Sequence, residues 1–141
     1  MENKIEREIT INATMSTVWK VVTDPGQWFG DKADLDLRVG GRGTVSWEKF
    51  GECPMEVIDI DEPKYFSFSW VSPDEEARSV SQKTLVEFRL SEEDGVTKLQ
   101  LTESCFGEQL FSDEQKKSLF GKHASGWGHF AERIKQCAEG H

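Results

Sequence analysis

Glu103 and His123 are the two residues of this sequence best suited to acid–base chemistry. Glu103 continues the apolar alternation of Leu99 and Leu101, so a strand through these residues turns its carboxyl group toward the interior. His123 lies one helical turn before Trp127, on the apolar face of a predicted helix. Burial disfavours the charged form of a carboxyl group unless a base or hydrogen-bond donors meet it. A buried Glu–His pair could therefore serve as a general acid and base in catalysis.

A structural role for the same residues is the alternative. Glu103 then lies at the solvated rim of the sheet, or is held ionised in an ion pair by His123 or Arg42, and His123 is an ordinary hydrogen-bonded histidine. An unpaired buried acid and an ion pair give opposite predictions for Glu103→Gln. The substitution leaves the stability unchanged or raises it in the first case, whereas it lowers the stability in the second.

Motifs for metals, nucleotides and catalytic nucleophiles are absent from the sequence. His123 and His129 fall on different helix faces, and neither combines with a cysteine at a zinc-like spacing. The glycine-rich segment 40–43 precedes no predicted helix and matches neither phosphate-binding fingerprint. No Gly-x-Ser-x-Gly motif occurs. We therefore expect no metal and no cofactor, and Glu103 and His123 remain the only catalytic candidates.

The composition excludes several classes of partner. The 26 acidic residues against 17 basic ones give a net charge of -9, which disfavours nucleic acid and anionic membranes. No segment approaches the roughly 20 apolar residues of a bilayer span, and the start of the chain lacks the apolar core of a secretory signal. The three cysteines form no CxxC pair, which fits reduced thiols. We expect a single cytoplasmic domain over residues 1–141.

A series of short strands followed by one long helix must position Glu103 and His123. Period-two alternation predicts seven strands, at Ile5–Ile11, Asp34–Val39, Gly43–Phe50, Pro54–Asp61, Lys64–Val71, Lys83–Ser91 and Val96–Ser104. Two short helices follow the first strand, one capped by Thr14 and one beginning at Pro25. The turn at Glu92–Gly95 joins the last two strands as a hairpin.

The long helix is predicted from Ser112, its N-cap, to Ala138. Its apolar stripe recurs at spacings of three and four and comprises Leu119, Phe120, His123, Trp127, Phe130, Ile134 and Ala138. Gly121, Gly126 and Gly128 interrupt this helix, and each costs about 1 kcal/mol relative to alanine. Either the helix simply packs on the sheet, or it is the lid of an internal pocket whose contents approach its backbone closely.

Large aromatic rings dominate the predicted interior, since the chain has five Trp and nine Phe. The strand residues predicted to point inward are Val45, Trp47, Val57, Phe66, Phe68, Trp70, Val86, Phe88, Leu99 and Leu101. Rings of this size can pack solidly or leave a cavity. We predict a ligand pocket lined by Trp28, Phe29, Trp47, Trp70, Phe88, Glu103, Phe106, His123, Trp127 and Phe130. The polar segment Ser72–Gln82 would close one end of it.

The order of these segments resembles the START-like, or SRPBCC, superfamily. Within it the chain is most similar to the family named after the activator of heat-shock protein 90 ATPase, through that activator's C-terminal domain. The matching segments are Ala13-Thr14, Val18-Trp19, Thr23-Asp24-Pro25, Trp28-Phe29, Val39-Gly40-Gly41-Arg42, residues 57–63, Trp70, residues 97–104 with Phe106, and Gly126-Trp127. The resemblance implies an α+β helix-grip (START/Bet v-like) fold. In this fold a curved antiparallel sheet of about six or seven strands is combined with two short helices and a long C-terminal helix.

Three functions are compatible with this resemblance. The favoured one is a non-enzymatic binding module that holds an apolar or amphipathic small molecule, such as a lipid, between sheet and helix. The family name implies a second function in the stress response, with a heat-shock chaperone as the partner. This chain is too short for the additional N-terminal domain of the eukaryotic activator, which argues against a full stimulating role. Relatives that are cyclases, dehydratases or hydrolases imply the third, an enzyme that uses the carboxylate of Glu103.

Overall fold

One antiparallel sheet forms the body of the protein. The computed structural model describes residues 4–49, 51–71, 83–104 and 113–140. The strands are β1 (Ile5–Ile11), β2 (Lys32–Leu35), β3 (Arg42–Trp47), β4 (Gly51–Asp61), β5 (Tyr65–Trp70), β6 (Thr84–Glu93) and β7 (Val96–Ser104). Their order across the sheet is β1-β7-β6-β5-β4-β3-β2, and all neighbours are antiparallel. The curved seven-stranded sheet confirms the predicted fold class.

Two α-helices and one 3-10 turn complete the described chain. Helix α1 (Met15–Val22) follows Thr14, whose side chain caps it as predicted. A 3-10 helix at Pro25–Gln27 has proline at its first position. Helix α2 (Asp113–Glu139) is the long C-terminal helix, whereas its predicted N-cap, Ser112, lies outside the described residues.

Helix α2 lies along strand β1 and contacts α1. Two side-chain hydrogen bonds tie it to β1: an Nη of Arg7 donates to the carbonyl oxygen of Ala124 at 3.0 Å, and Nζ of Lys135 donates to that of Thr10 at 3.1 Å. The predicted apolar stripe is confirmed where its side chains are described. His123, Trp127, Ile134 and Ala138 are buried, Phe120 and Phe130 are half-buried, and the side chain of Leu119 lies outside the described set.

The core occupies the space between the sheet, α1 and α2. Period two predicts its strand residues correctly, because all ten expected inward positions are buried except Trp47, which is half-buried. Helix α1 adds Val18, Trp19 and Val22, which its spacing also places on one face. The same alternation directs Glu103 inward.

Strand β2 differs from its prediction. The alternation of Leu35, Leu37 and Val39 extended the predicted strand to residue 39, but β2 ends at Leu35, and Leu37 and Val39 are 44% and 57% exposed. Beyond β2 the backbone turns, since the amide of Gly40 donates to the carbonyl oxygen of Val57. The amides of Arg38 and Gly41 donate within this turn, to the carbonyl oxygens of Asp36 and Arg38, and the apolar alternation carries no information about where the turn begins. Phe50, at the end of the predicted third strand, lies outside the described residues.

The glycines of α2 are not sites of close approach by described protein groups. Among the described residues, a Cβ atom added at Gly121 or Gly128 would meet nothing within 4 Å, and one at Gly126 would meet only the Phe130 ring, at 3.7 Å. No described protein group therefore approaches Gly121 or Gly128 closely, and the approach of a ligand to the helix backbone stays a prediction. Packing of the helix on the sheet accounts for its described part.

Gly128→Ala should raise the free energy of unfolding by about 0.5–1 kcal/mol, because the exposed helical glycine gains helix propensity and no clash. Urea denaturation followed by circular dichroism measures the change. A loss of stability would mean that another group occupies the space beside this turn.

Gly95→Ala provides the matched control for that measurement. Gly95 lies in the β6–β7 hairpin at φ 79°, next to Asp94 at φ 53°, and a Cβ there would also meet no described atom within 4 Å. The effect of the substitution therefore comes from the backbone conformation alone. Alanine is strained at positive φ, so Gly95→Ala should lower the free energy of unfolding by about 1 kcal/mol. The two substitutions add the same methyl group and should act in opposite directions.

Candidate functional site

Glu103 lies near the end of β7, between two other strands of the sheet. Its backbone is in register with Ile5 of β1 on one side and with Val86 of β6 on the other. Its side chain points into the core and is 0% exposed. The inward orientation predicted from the alternation is confirmed, and the alternative of a solvated rim position is wrong.

Four side chains donate hydrogen bonds to the Glu103 carboxylate. Oε2 accepts from Nε1 of Trp70 at 2.9 Å and from Oγ1 of Thr84 at 2.5 Å. Oε1 accepts from Nδ1 of His123 at 2.7 Å and from Nε1 of Trp127 at 2.6 Å. An ionised carboxylate offers about four lone-pair sites, so these donors use all of its accepting capacity.

The arrangement is a buried pair with His123 rather than an isolated acid. Nδ1 of His123 and Oε1 of Glu103 form a hydrogen bond of 2.7 Å, in which His123 is the donor when the carboxylate is ionised. Arg42, the other partner considered, is exposed on β3. The interpretation of Glu103 as an unpaired buried acid is therefore wrong.

The four donors make Glu103 a connection between elements that are distant in sequence. Trp70 ends β5, Thr84 begins β6, and His123 and Trp127 lie one turn apart on α2. A substrate atom could reach the carboxylate only by displacing one of these donors. This geometry suits a group that orients its neighbours better than a general acid or base, which needs access to the substrate.

The Trp70 indole and the Thr84 hydroxyl were not predicted as donors to Glu103. Trp70 was assigned to the pocket for its ring alone, and Thr84 was not singled out. The sequence contains a weak signal for Thr84. It is the first residue in the alternating series with Val86 and Phe88, and it is the one polar residue among the buried positions of β6. A hydroxyl at an inward position indicates that a buried polar group needs a partner.

Seven of the ten predicted pocket residues form one aromatic cluster: Trp28, Phe29, Trp47, Trp70, Phe88, Trp127 and Phe130. Phe29 lies at its centre, stacked on Trp28 at a centroid distance of 4.8 Å and on Trp127 at 5.5 Å. The ring of Trp70 meets Phe29 edge-on at 4.7 Å. Such contacts stabilise a core beyond its apolar burial, and within the described residues these rings touch one another directly.

The aromatic cluster reaches the protein surface at Trp47 and Phe130. These two rings are half-buried and 6.4 Å apart, whereas Trp28, Phe29 and Trp127 are at most 2% exposed. Phe106 and the segment Ser72–Gln82, which were predicted to complete and close the pocket, lie outside the described residues.

A separate groove of about 840 Å³ lies between β1 and α2. Its described lining is Lys4, Ile5, Glu6, Arg7, Ser104, Phe120 and Ala124, which includes none of the predicted pocket residues. Among the described residues, no group of three His, Cys, Asp or Glu side chains could hold a metal ion. No helix in the described ranges is both long enough and apolar enough to cross a membrane.

The fold and the interior together define a helix-grip domain of the α+β class, in the START-like (SRPBCC) superfamily. The sequence profile of the family described as "Activator of Hsp90 ATPase homolog 1-like protein" matches residues 12–139, and the chain belongs to this family. A comparison with curated proteins finds no match.

Solved structures with the same fold cover nearly the whole chain. Protein MLL2253 from Mesorhizobium loti has a TM-score of 0.78 and 23% identity, over 95% of each chain. The Aha1 dimer from Colwellia psychrerythraea has a TM-score of 0.76 and 17% identity, over 98% of this chain and 97% of that one. DynU16, from the dynemicin biosynthetic locus, has a TM-score of 0.72 and 22% identity, over 96% of this chain and 47% of that one. At these identities the similarity establishes the fold.

Proposed function

We propose that this protein is a non-enzymatic binding domain for an apolar or amphipathic small molecule. The observation that carries the proposal is the aromatic cluster, which continues from fully buried rings to two half-buried rings at the surface. Binding sites for small molecules are lined mainly by hydrophobic and aromatic side chains with a few fixed polar groups. The aromatic cluster and its junction with the Glu103 network have this composition.

The half-buried rings of Trp47 and Phe130 supply the binding energy in this proposal. An apolar ligand that covers them removes apolar surface from water, and each 100 Å² contributes roughly 2.5 kcal/mol before the costs of association. Phe29 meets both rings edge-on, at 5.1 Å and 5.0 Å, and so supports them from the interior. A supported ring loses little conformational freedom when the ligand binds.

No catalytic step is assigned to Glu103 or His123 in this proposal. The carboxylate already accepts four hydrogen bonds, and its oxygens are surrounded by side chains of the protein. We infer that the network holds Trp70 and Trp127 in place, and that these indoles in turn shape the inner wall of the ligand site.

Trp47→Ala and Phe130→Ala should each weaken the binding of an apolar probe at least about tenfold, because each removes a ring that the ligand would cover. The probes are dodecanoic acid, cholesterol and 1-anilinonaphthalene-8-sulfonate, titrated by calorimetry and by tryptophan emission. Native mass spectrometry of freshly purified protein shows whether a small molecule co-purifies.

Leu37→Ala is the matched control for these titrations, since Leu37 is an exposed apolar residue beyond the end of β2 and outside the aromatic cluster. It should leave every dissociation constant unchanged. The proposal fails if no probe binds and no molecule co-purifies, or if Leu37→Ala weakens binding as much as Trp47→Ala does.

A chaperone-associated function is the second candidate, and the family match favours it. The protein would then bind a chaperone of the heat-shock protein 90 class and change its ATPase rate. The test adds purified protein to such a chaperone and measures ATP hydrolysis, with Trp47→Ala as the comparison. A stimulated rate that does not depend on Trp47 would favour this function and place its surface away from the aromatic cluster.

A further inference from the structure

Trp28 carries the one buried indole nitrogen of the aromatic cluster that has no hydrogen-bond partner within the described part of the chain. The side chain is 0% exposed, and its Nε1 finds no acceptor. The other two buried indoles of the cluster differ, since Trp70 and Trp127 both donate to Glu103. An indole nitrogen can only donate, and leaving a buried donor unpaired is unfavourable.

The immediate aromatic neighbours of Trp28 offer it no oxygen or nitrogen acceptor. Phe29 is stacked on it, and Phe88 and Phe130 meet it edge-on at centroid distances of 5.5 and 6.2 Å. Ring faces accept hydrogen bonds only weakly. Trp127, its fourth ring neighbour, uses its own nitrogen to donate to Glu103. The Nε1 donor of Trp28 therefore lies in apolar surroundings, where a hydrogen bond is stronger than in water. A ligand that brings an acceptor to this nitrogen would gain that hydrogen bond.

The ring of Trp28 is separated from the surface by a single ring, that of Phe130. Phe130 packs directly against Trp28 and is itself half-buried, next to the half-buried Trp47. A ligand that enters between the Phe130 and Trp28 rings would stack within the cluster and would still contact the Phe130 ring. Phe130 is half-buried, so the proposal requires only that its side chain rotates toward solvent to admit the ligand.

We propose that Nε1 of Trp28 is the specificity-determining donor of the ligand site, and that the ligand is a flat aromatic molecule with a carbonyl or similar oxygen acceptor. This inference rests on the proposed binding function and adds the chemical class of the ligand. The aromatic body of the ligand replaces ring contacts within the cluster, and its oxygen accepts the hydrogen bond that Trp28 otherwise lacks.

The test compares 1-tetralone with tetralin, two bicyclic probes of the same shape that differ by one carbonyl oxygen. Two-dimensional ¹H–¹⁵N NMR resolves the indole signals of the protein, and Trp28→Phe identifies the signal of Trp28. In the wild-type protein, 1-tetralone should bind at least about tenfold more tightly than tetralin and should move the Trp28 indole proton downfield. Tetralin should bind without that displacement.

Trp28→Phe keeps an aromatic ring and removes the donor, so it should abolish the difference between the two probes. Trp19→Phe is the control, because Trp19 is a buried indole on α1 that packs on Phe66 rather than on Trp28, and it should preserve the difference. The comparison of the two dissociation constants in the wild-type protein does not depend on whether Trp28→Phe folds correctly.

The outcomes separate this inference from the function on which it rests. Equal dissociation constants for the two probes, with an unmoved Trp28 signal, would overturn the role of Trp28 and leave the binding function intact. Absence of binding by both probes, together with no binding of dodecanoic acid, cholesterol or the anilinonaphthalene dye, would overturn both proposals.

Discussion

Glu103→Gln should lower the free energy of unfolding by roughly 3–5 kcal/mol, because a buried carboxylate with four hydrogen-bond partners is replaced by an amide that cannot accept from all of them. The substitution keeps the size and shape of the side chain, so the loss isolates the hydrogen bonds and the charge. Chemical denaturation at pH 7 measures it. This result is the opposite of that expected for an unpaired buried acid.

The reason lies in how the four donors are distributed between the two oxygens. Each oxygen accepts from one indole, Trp70 at Oε2 and Trp127 at Oε1. In glutamine one of these oxygens becomes an NH₂ group, and whichever way the amide is turned, that group faces an indole N–H. Two donors then oppose each other in the core, and neither indole can adapt because it has no acceptor.

Glu8→Gln is the control for this measurement. Glu8 lies on β1, where its carboxylate is about half-exposed and 3.7 Å from Nζ of Lys98. A surface pair of this kind contributes little, so the change should stay within about 0.5 kcal/mol. If Glu103→Gln were as mild as Glu8→Gln, the four-donor network would not stabilise the fold.

Trp127→Ala should destabilise the protein by about 3–5 kcal/mol, the range for a large aromatic residue removed from a packed core. The Trp127 ring contacts Trp28, Phe29, Phe88 and Phe130, and it is 2% exposed. The same denaturation experiment measures the change. A loss below about 2 kcal/mol would show that the ring borders a void, which is what a permanently open pocket requires.

Trp127→Phe separates the packing of this residue from its hydrogen bond. Phenylalanine keeps much of the ring contact but cannot donate to Oε1 of Glu103, a bond of 2.6 Å. Hydrogen bonds to charged groups contribute about 1.5–3 kcal/mol, so the phenylalanine variant should lose that much. An alanine variant no less stable than the phenylalanine one would contradict the packing role.

The Glu103 network and the ligand site share two residues, which links stability to binding. Trp70 and Trp127 donate to Glu103 and also contact Phe29 in the aromatic cluster. A substitution that releases these indoles therefore changes the wall of the site as well as the core. When ligand binding by Glu103→Gln is measured, Trp47→Ala and Phe130→Ala serve as the reference variants. Their rings are half-buried and make no hydrogen bond to Glu103.

Much of the architecture could be predicted from local patterns. Strands β1 and β7 have their predicted bounds, and helix α1 begins after the predicted cap, Thr14. Period two and period 3.6 report which side of an element is apolar, and a residue's own neighbours along the chain carry that information. The inward orientation of Glu103 and the burial of Trp127 follow from the same periodicities.

Local periodicity predicts the sides on which Glu103, His123 and Trp127 lie, but their contacts depend on how helix α2 packs on the sheet. The four donors to Glu103 are 19 to 33 positions away along the chain, on β5, β6 and α2. Periodicity within one element cannot specify how a helix and a sheet are placed relative to each other. The same limit applies to Trp28, since its unpartnered nitrogen is a property of the surrounding rings, and no pattern along the chain records it.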